Sequence, residues 1–222
     1  MKKTMNIAAS LLAADFARLG ADVDAVLAAG VDYLHVDVMD HHFVPNLSFG
    51  PMICSALRSY GIKAPMDVHL MVDNPHVYIE PFAKAGANLL SFHPETVDDV
   101  LDVVKAIRAN GMQAGLVFNP DKPVLLDERL WSMLDMLLVM SVVPGFGGQR
   151  FMPSVLSKVR ETREYLDTEG LNHVKLAIDG GIKLDTIALA HAAGCDYFVV
   201  GSGLFEAPDY AERVRALRQQ LV

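Results

Sequence analysis

Apolar residues along this chain gather into eight short runs of strand-forming side chains. They lie at residues 5–10, 31–38, 65–72, 87–93, 112–119, 136–142, 174–179 and 196–201. Runs of this length and composition read as buried strands. Between most of them the period changes. Phe16, Leu19, Val23, Val26 and Leu27 recur at helical spacing, as do Val97, Val100, Leu101, Val104 and Ile107. Such spacing puts the side chains on one face of a helix, so residues 15–30 read as an amphipathic helix. The junctions repeat as well: Ala29-Gly30-Val31-Asp32, Ala85-Gly86-Ala87-Asn88, Ala193-Gly194-Cys195-Asp196 and, more loosely, Asn110-Gly111-Met112-Gln113. Glycine just past the last helical turn can adopt the left-handed conformation that ends a helix. The recurring unit is helix, glycine, strand.

Strands alternating with helices favour parallel pairing through right-handed crossovers. Eight units leave about 28 residues each, compact but sufficient for a (β/α)8 barrel. The competing architecture, an open doubly wound sheet, would be marked by G-x-G-x-x-G after the first strand, and that motif is missing here. No linker or shift of composition interrupts the chain. Residues 1–222 therefore read as one α/β domain, a single (β/α)8 TIM barrel.

The polar exceptions within the apolar runs carry the chemistry. In YLHVDVMDHHFVPN, residues 33–46, the alternation of a strand places His35, Asp37 and Met39 on one face. Asp67, His69 and Met71 share a face in the next strand. Ser10, His93, Asn119 and Asp179 also stand at or near the C-terminal ends of strands, and in a barrel those ends line one mouth where reactive groups gather. A lone strand histidine is ordinarily a hydrogen-bonded core residue, and one H-x-D pair is a weak signal. Taken together, His35, Asp37, His69 and Asp179 are two imidazoles and two carboxylates able to converge on one divalent metal. Such nitrogen and oxygen donors suit zinc, iron or manganese, with cobalt a further candidate. A metal also gives buried charge a partner. Met39, Met71 and Met140 read first as core packing. As a sulfur ring they would exclude water from a reacting centre without adding charge.

Glycine-rich stretches follow the last three strands: Gly145-Phe146-Gly147-Gly148, Gly180-Gly181 and Gly201-Ser202-Gly203. Each alone would be a tight turn. At three successive strand ends they suit phosphate, whose oxygens accept from converging backbone N–H groups.

Bulk properties narrow the classes further. The formal net charge is −8 and no segment is strongly basic, which argues against nucleic acid as a partner while leaving an anionic small molecule open. Cys54 and Cys195 are far apart, in no metal-ligand spacing, and fit a reducing compartment. The start, MKKTMNIAASLLAADF, has the charge of a leader peptide, but its apolar run is short and meets Asp15 at once. No apolar run reaches membrane-spanning length. A cytoplasmic protein without membrane partners is expected, and a homo-oligomer is the expected assembly.

With these residues in hand, the chain resembles the ribulose-phosphate 3-epimerase family over nearly its full length. LHVDVMDHHFVPN, DVHLMV, FHPE, GLVFNP, PGFGGQ, IDGG and VVGS stand in that family's order. The resemblance implies a (β/α)8 barrel whose metal is held by His35, Asp37, His69 and Asp179. It implies that Asp37 and Asp179 are the paired acid and base. Ser10 and His69 would contact substrate, and Met39, Met71 and Met140 would ring it. Gly145, Phe146, Gly147, Gly148, Gly180, Gly181, Gly201 and Ser202 would hold its phosphate.

The activity implied is interconversion of D-ribulose 5-phosphate and D-xylulose 5-phosphate by two-base proton transfer at C3 in pentose phosphate metabolism. A D-allulose 6-phosphate 3-epimerase would use the same ligands. A barrel decarboxylase or aldolase would need a lysine in the mouth, and Lys175 lies early in its strand. A non-catalytic phosphosugar sensor would not need two proton-handling carboxylates. Two positions depart from the family's pattern: Ala9, where proline is usual, and Val143, where a polar residue is usual. Val143 offers no hydrogen bond to an extra hydroxyl, which favours the five-carbon sugar.

Overall fold

The computed structural model describes residues 4–125 and 127–221. Eight parallel strands are hydrogen-bonded in chain order into a closed ring. They are β1 Asn6–Ser10, β2 Tyr33–Met39, β3 Met66–Met71, β4 Leu89–Phe92, β5 Gln113–Phe118, β6 Met136–Met140, β7 Lys175–Asp179 and β8 Tyr197–Val200. Each coincides with one of the eight apolar runs to within two residues at either end. Around the ring lie α1 Leu19–Ala28, α2 Pro51–Tyr60, α3 His76–Lys84, α4 Val100–Ala109, α5 Leu156–Thr168, α6 Leu184–Ala192, the short α7 Ser202–Phe205 and α8 Tyr210–Gln219. The helix, glycine, strand junctions are real. Gly30, Gly86, Gly111 and Gly194 all have positive φ, between 79° and 113°.

Three details differ from the sequence reading. Residues 15–30 do not form one helix: Phe16–Arg18 is a 3-10 turn and α1 begins at Leu19. Phe16 does not join the core; it is 46% exposed and packs on Phe49, ring centroids 5.3 Å apart. Val97 stands outside α4, in extended backbone after the 3-10 turn Pro94–Thr96. The β5–β6 connection carries a 3-10 turn, Glu128–Leu130, in place of an α-helix among the described residues. Pro120 and Pro123 precede that turn, and proline interrupts a helical hydrogen-bond ladder.

Strand alternation divides the side chains between two cores. Leu34, Val36 and Val38 join the layer between barrel and helices, as does Ala9. The opposite face of each strand fills the barrel. Ala8, Leu89, Val117, Met136, Leu138, Ala177 and Tyr197 belong to this inner cluster. Gly115 leaves room for its neighbours there, since a Cβ on it would come 2.9 Å from Ser91 Cβ and 3.3 Å from Met136 Cβ. Nearer the mouth a third cluster joins Met39, Val44 and Met71, with Leu12 and Phe43 packed against it. The buried His35, Asp37, Asp67 and His69 belong to the same two inward-facing strand faces.

Lys2 and Lys3, the charged part of the leader-like start, lie outside the described residues. No helix among the described residues is long and apolar enough to cross a membrane.

Candidate active site

Register decides which polar groups meet. In the β2–β3 ladder His35 is level with Asp67, and Asp37 with His69. Asp67 Oδ2 lies 2.8 Å from His35 Nδ1. A carboxylate only accepts, so Nδ1 carries the hydrogen and donates it. Tyr197 of β8 donates its hydroxyl to the same carboxylate oxygen at 3.1 Å. These bonds fix the ring of His35 and turn Nε2 toward the mouth. There Nε2 is buried without a hydrogen-bond partner, 3.3 Å from Asp37 Oδ1 and 3.9 Å from Asp179 Oδ2.

On the other side, His69 Nδ1 is 3.3 Å from Asp37 Oδ1, and His69 Nε2 is 2.9 Å from His93 Nε2. Ser10 donates its hydroxyl to Asp37 Oδ2 at 2.8 Å. His35, Asp37, His69 and Asp179 thus each offer one donor atom within 4.8 Å of the others.

The electrostatics follow from crowding two carboxylates and two imidazoles in a dry space. Burial and the negative charge of Asp37 raise the Asp179 carboxyl to about 7. Burial pushes Asp37 upward too, but the adjacent His35 and His69 outweigh it and hold its carboxyl well below the usual range. His35 is buried, which disfavours its charge, yet Asp37 and Asp67 together raise it well above an ordinary imidazole. His69 is lowered, mainly by burial. His93 is lowered further, by burial and by His69.

The donor set fits a divalent metal. An imidazole nitrogen left without a partner between two carboxylates is a costly arrangement unless a cation joins it. The far nitrogens of both histidines are already engaged, His35 by Asp67 and His69 by His93, as metal-bound imidazoles usually are.

One cavity connects this cluster to the glycine-rich stretches. Ser10, Asp37, Met39, Met71, Met140 and Asp179 line its inner part. Gly145, Phe146, Gly147, Gly148, Gly180, Gly181, Gly201 and Ser202 line it as well, among other residues. Gly181 is held at φ +64°, and a Cβ there would sit 2.4 Å from Phe151 N. The crowding therefore admits only glycine at position 181. The three methionines are buried and stand on the cavity lining.

Four residues raised by the sequence lie away from this cavity. Val143 is 63% exposed and does not line the cavity, although its neighbours Val142 and Pro144 do. Its exposed position gives no support to the expectation that it reads a sugar hydroxyl. Ala9 also points away from the mouth, into the helix layer. Asn119 lies off the cavity, donating to Glu95 Oε1 at 2.8 Å. Lys175 opens β7, at the opposite end of the strand from Asp179, with its ammonium 5.9 Å from the Tyr33 ring centroid.

Three site neighbours escaped sequence reasoning in their roles: Asp67, Tyr197 and His93. Alternation already placed Asp67 on the inner face with His69. Its pairing with His35 depends on register, and Tyr197 reaches it from 130 residues away.

Comparison with known proteins agrees with this geometry. The sequence matches the ribulose-phosphate 3 epimerase family over residues 6–205. It is 52% identical over 210 residues to the ribulose-phosphate 3-epimerase of Serratia marcescens, covering 95% of this chain and 99% of that one. It is 49% identical over 215 residues to the enzyme of the same name from Escherichia coli strain K12, covering 97% and 95%. Among solved structures, 3-hexulose-6-phosphate synthase from Salmonella typhimurium superposes with a TM-score of 0.67 at 20% identity, over 98% of each chain. Orotidine 5'-phosphate decarboxylase from Pyrococcus horikoshii OT3 superposes with a TM-score of 0.65 at 16% identity, over 97% of this chain and 98% of that one. At such identities these two establish the barrel fold alone. The full-length matches near half identity establish more: the chain belongs to the ribulose-phosphate 3-epimerase family.

Proposed function

We propose that this chain, acting as one barrel domain, interconverts D-ribulose 5-phosphate and D-xylulose 5-phosphate by moving a proton at C3. The carrying observation is that Asp37 and Asp179, from strands on separate parts of the ring, line one cavity that also runs along the glycine-rich stretches. Inverting a carbon beside a ketone requires proton removal from one face and delivery to the other. Two carboxylates flanking the carbon do this with little movement.

Their environments are pushed apart, Asp37 toward the ionised form and Asp179 toward the protonated form. These directions describe the cluster without an ion; a divalent cation held by both carboxylates would favour the ionised form of each. In the reverse reaction the two carboxylates exchange roles. His35, Asp37, His69 and Asp179 would hold a divalent ion, with zinc, iron, manganese or cobalt each compatible with the donors. Such an ion supplies positive charge where negative charge develops as the proton leaves. Ser10 holds Asp37 in place through its hydroxyl and, on the cavity lining, would stand beside the substrate. His69 orients Asp37 from the other side. Met39, Met71 and Met140 keep water from the carbanion. The backbone around Gly145, Phe146, Gly147, Gly148, Gly180, Gly181, Gly201 and Ser202 would receive the phosphate.

A lysine-dependent decarboxylase or aldolase is disfavoured because Lys175 sits at the far end of the barrel from this cavity. The free, buried Cys54 and Cys195 suit a reducing compartment, and we read the protein as cytoplasmic. A homo-oligomer is the assembly we expect, open to light scattering.

The deciding experiment compares kcat/KM for ribulose 5-phosphate and allulose 6-phosphate on one preparation. The metal cluster and the glycine stretches are two anchors on one cavity, so their separation acts as a ruler for chain length. The five-carbon sugar should be preferred. Equal values, or a higher value for the hexulose phosphate, would move the chain to the six-carbon reading.

A further inference from the structure

The stretch DHHFVPN, residues 40–46, is part of the family pattern, yet none of its side chains belongs to the metal cluster or the glycine stretches. Its structure is tightly specified. Asp40 and Leu47 form an antiparallel bridge, and His41 donates its backbone N–H to Asn46 O at 2.9 Å. Asp40 Oδ1 accepts from the backbone of His42 and Phe43 at 2.8 and 3.0 Å. Asp40 Oδ2 accepts from Asp73 N, just past β3, at 2.9 Å. His41 is held at φ +62°, an uncommon conformation for a residue with a side chain. Val44 is buried against Met39 and Met71. One end of this strap is therefore anchored to β2, β3 and the methionine cluster.

The other end reaches across the mouth. Asn46 donates its side-chain amide to Gly145 O at 2.7 Å. β2 and β6 are four strands apart in an eight-strand ring, so this bond joins opposite sides of the barrel. Val44 and Pro45 press on the same spot. A Cβ on Gly145 would meet Val44 Cβ at 3.4 Å and Pro45 Cδ at 3.6 Å, and Gly145 has φ +123°. The loop after β6 is also tied to itself, because Gln149 donates to Val143 O and Phe146 O at 2.6 and 2.8 Å. Gln149 thus sets the loop's shape, and Asn46 sets its position relative to Asp37 and the metal cluster.

We propose that Asn46 is a positioning residue that latches the phosphate-side loop, residues 145–148, to the strap packed on Met39. This inference rests on the proposed phosphosugar reading of the cavity. Asn46 itself handles no proton. Its latch fixes the distance between the phosphate anchor and C3, so that binding energy at the phosphate end is used to place the reacting carbon.

Asn46→Asp is the sharpest test. It keeps the side-chain oxygen that accepts from Leu47 N at 2.9 Å, but removes the donor to Gly145. Asn46→Ala removes both, and Asn46→Gln restores an amide donor on a longer arm. Three readouts are needed: kinetics on ribulose 5-phosphate and on free ribulose, competitive inhibition by inorganic phosphate, and amide hydrogen exchange over residues 144–149.

Loss of one such hydrogen bond corresponds to about a tenfold change. Asn46→Asp and Asn46→Ala should lower kcat/KM on the phosphorylated sugar by about that factor, in kcat as well as KM. They should weaken phosphate inhibition similarly, speed exchange in the loop, and leave metal content and Tm unchanged. Asn46→Gln should recover part of the loss. An equal loss on free ribulose would mark a general structural effect and overturn the latch, as would unchanged loop exchange. Should the wild-type protein fail to turn over ribulose 5-phosphate, the functional reading falls. Loop exchange and phosphate affinity then decide the latch by themselves.

Discussion

At the scale of single residues, the histidine and aspartate inside the buried strand β2 belong to a chain of contacts. Tyr197 holds Asp67, Asp67 holds His35, and His35 presents Nε2 to Asp37 and Asp179. Asp67 touches no cavity wall, yet it determines which nitrogen of His35 is free. Asp67→Asn keeps the shape but can turn an NH2 group toward Nδ1 and permit the wrong tautomer. We expect a loss of metal affinity of about 10–100-fold, the usual effect of removing such a partner, with Tm little changed in the metal-free protein. Equilibrium dialysis against zinc or manganese measures it, and wild-type affinity would show that Asp67 is only packing. A different outcome is expected for the two carboxylates proposed to handle protons. Asp37→Asn and Asp179→Asn should each lower kcat by at least about 100-fold, the low end for a lost general acid or base. One of them should still exchange the C3 proton of a single epimer with solvent if the ion stays bound. Near-normal turnover in either variant would remove it from the acid and base pair.

At the scale of elements, the strands do more than enclose the site. Apolar side chains fill the lower part of the barrel, so the polar residues of β2 and β3 rest on a packed layer. Gly115 of β5 is the position where that packing has no slack. Its two neighbours, Ser91 and Met136, are level with it in adjoining strands, and neither backbone can shift without breaking a ladder. Gly115→Ala should destabilise the protein by about 1–3 kcal/mol through overpacking, read as a lower Tm. Ser91→Gly in the same chain should restore much of the loss, since it removes the Cβ that a new one would strike at 2.9 Å. Additive effects in the double variant would refute this contact as the cause. The sequence contained Gly115 inside an apolar run, where it reads as an ordinary weak strand residue. Its purpose depends on two other strands.

At the scale of the whole molecule, the barrel brings together groups far apart along the chain: the cluster on β2, β3 and β7, and the glycine stretches after β6, β7 and β8. If the phosphate end positions the reacting carbon, removing the phosphate from the substrate should lower kcat/KM by several orders of magnitude. Comparable efficiency on free ribulose would show that the glycine stretches do not contribute binding energy to catalysis. Much of this architecture was legible in the sequence, because apolar strand runs, helix periodicity and glycine-terminated helices are local physics that recurs along the chain. The donor set His35, Asp37, His69 and Asp179 was legible as well, since polar groups inside apolar runs are costly and mark themselves. Other features belonged to the tertiary structure alone. The level pairing of His35 with Asp67 and the reach of Tyr197 depend on register and ring closure. So do the bond from Asn46 to Gly145 and the outward turn of Val143. Each is a matter of ångströms between segments distant in the chain, and local sequence carries the chemistry of a side chain but not the position of its partner.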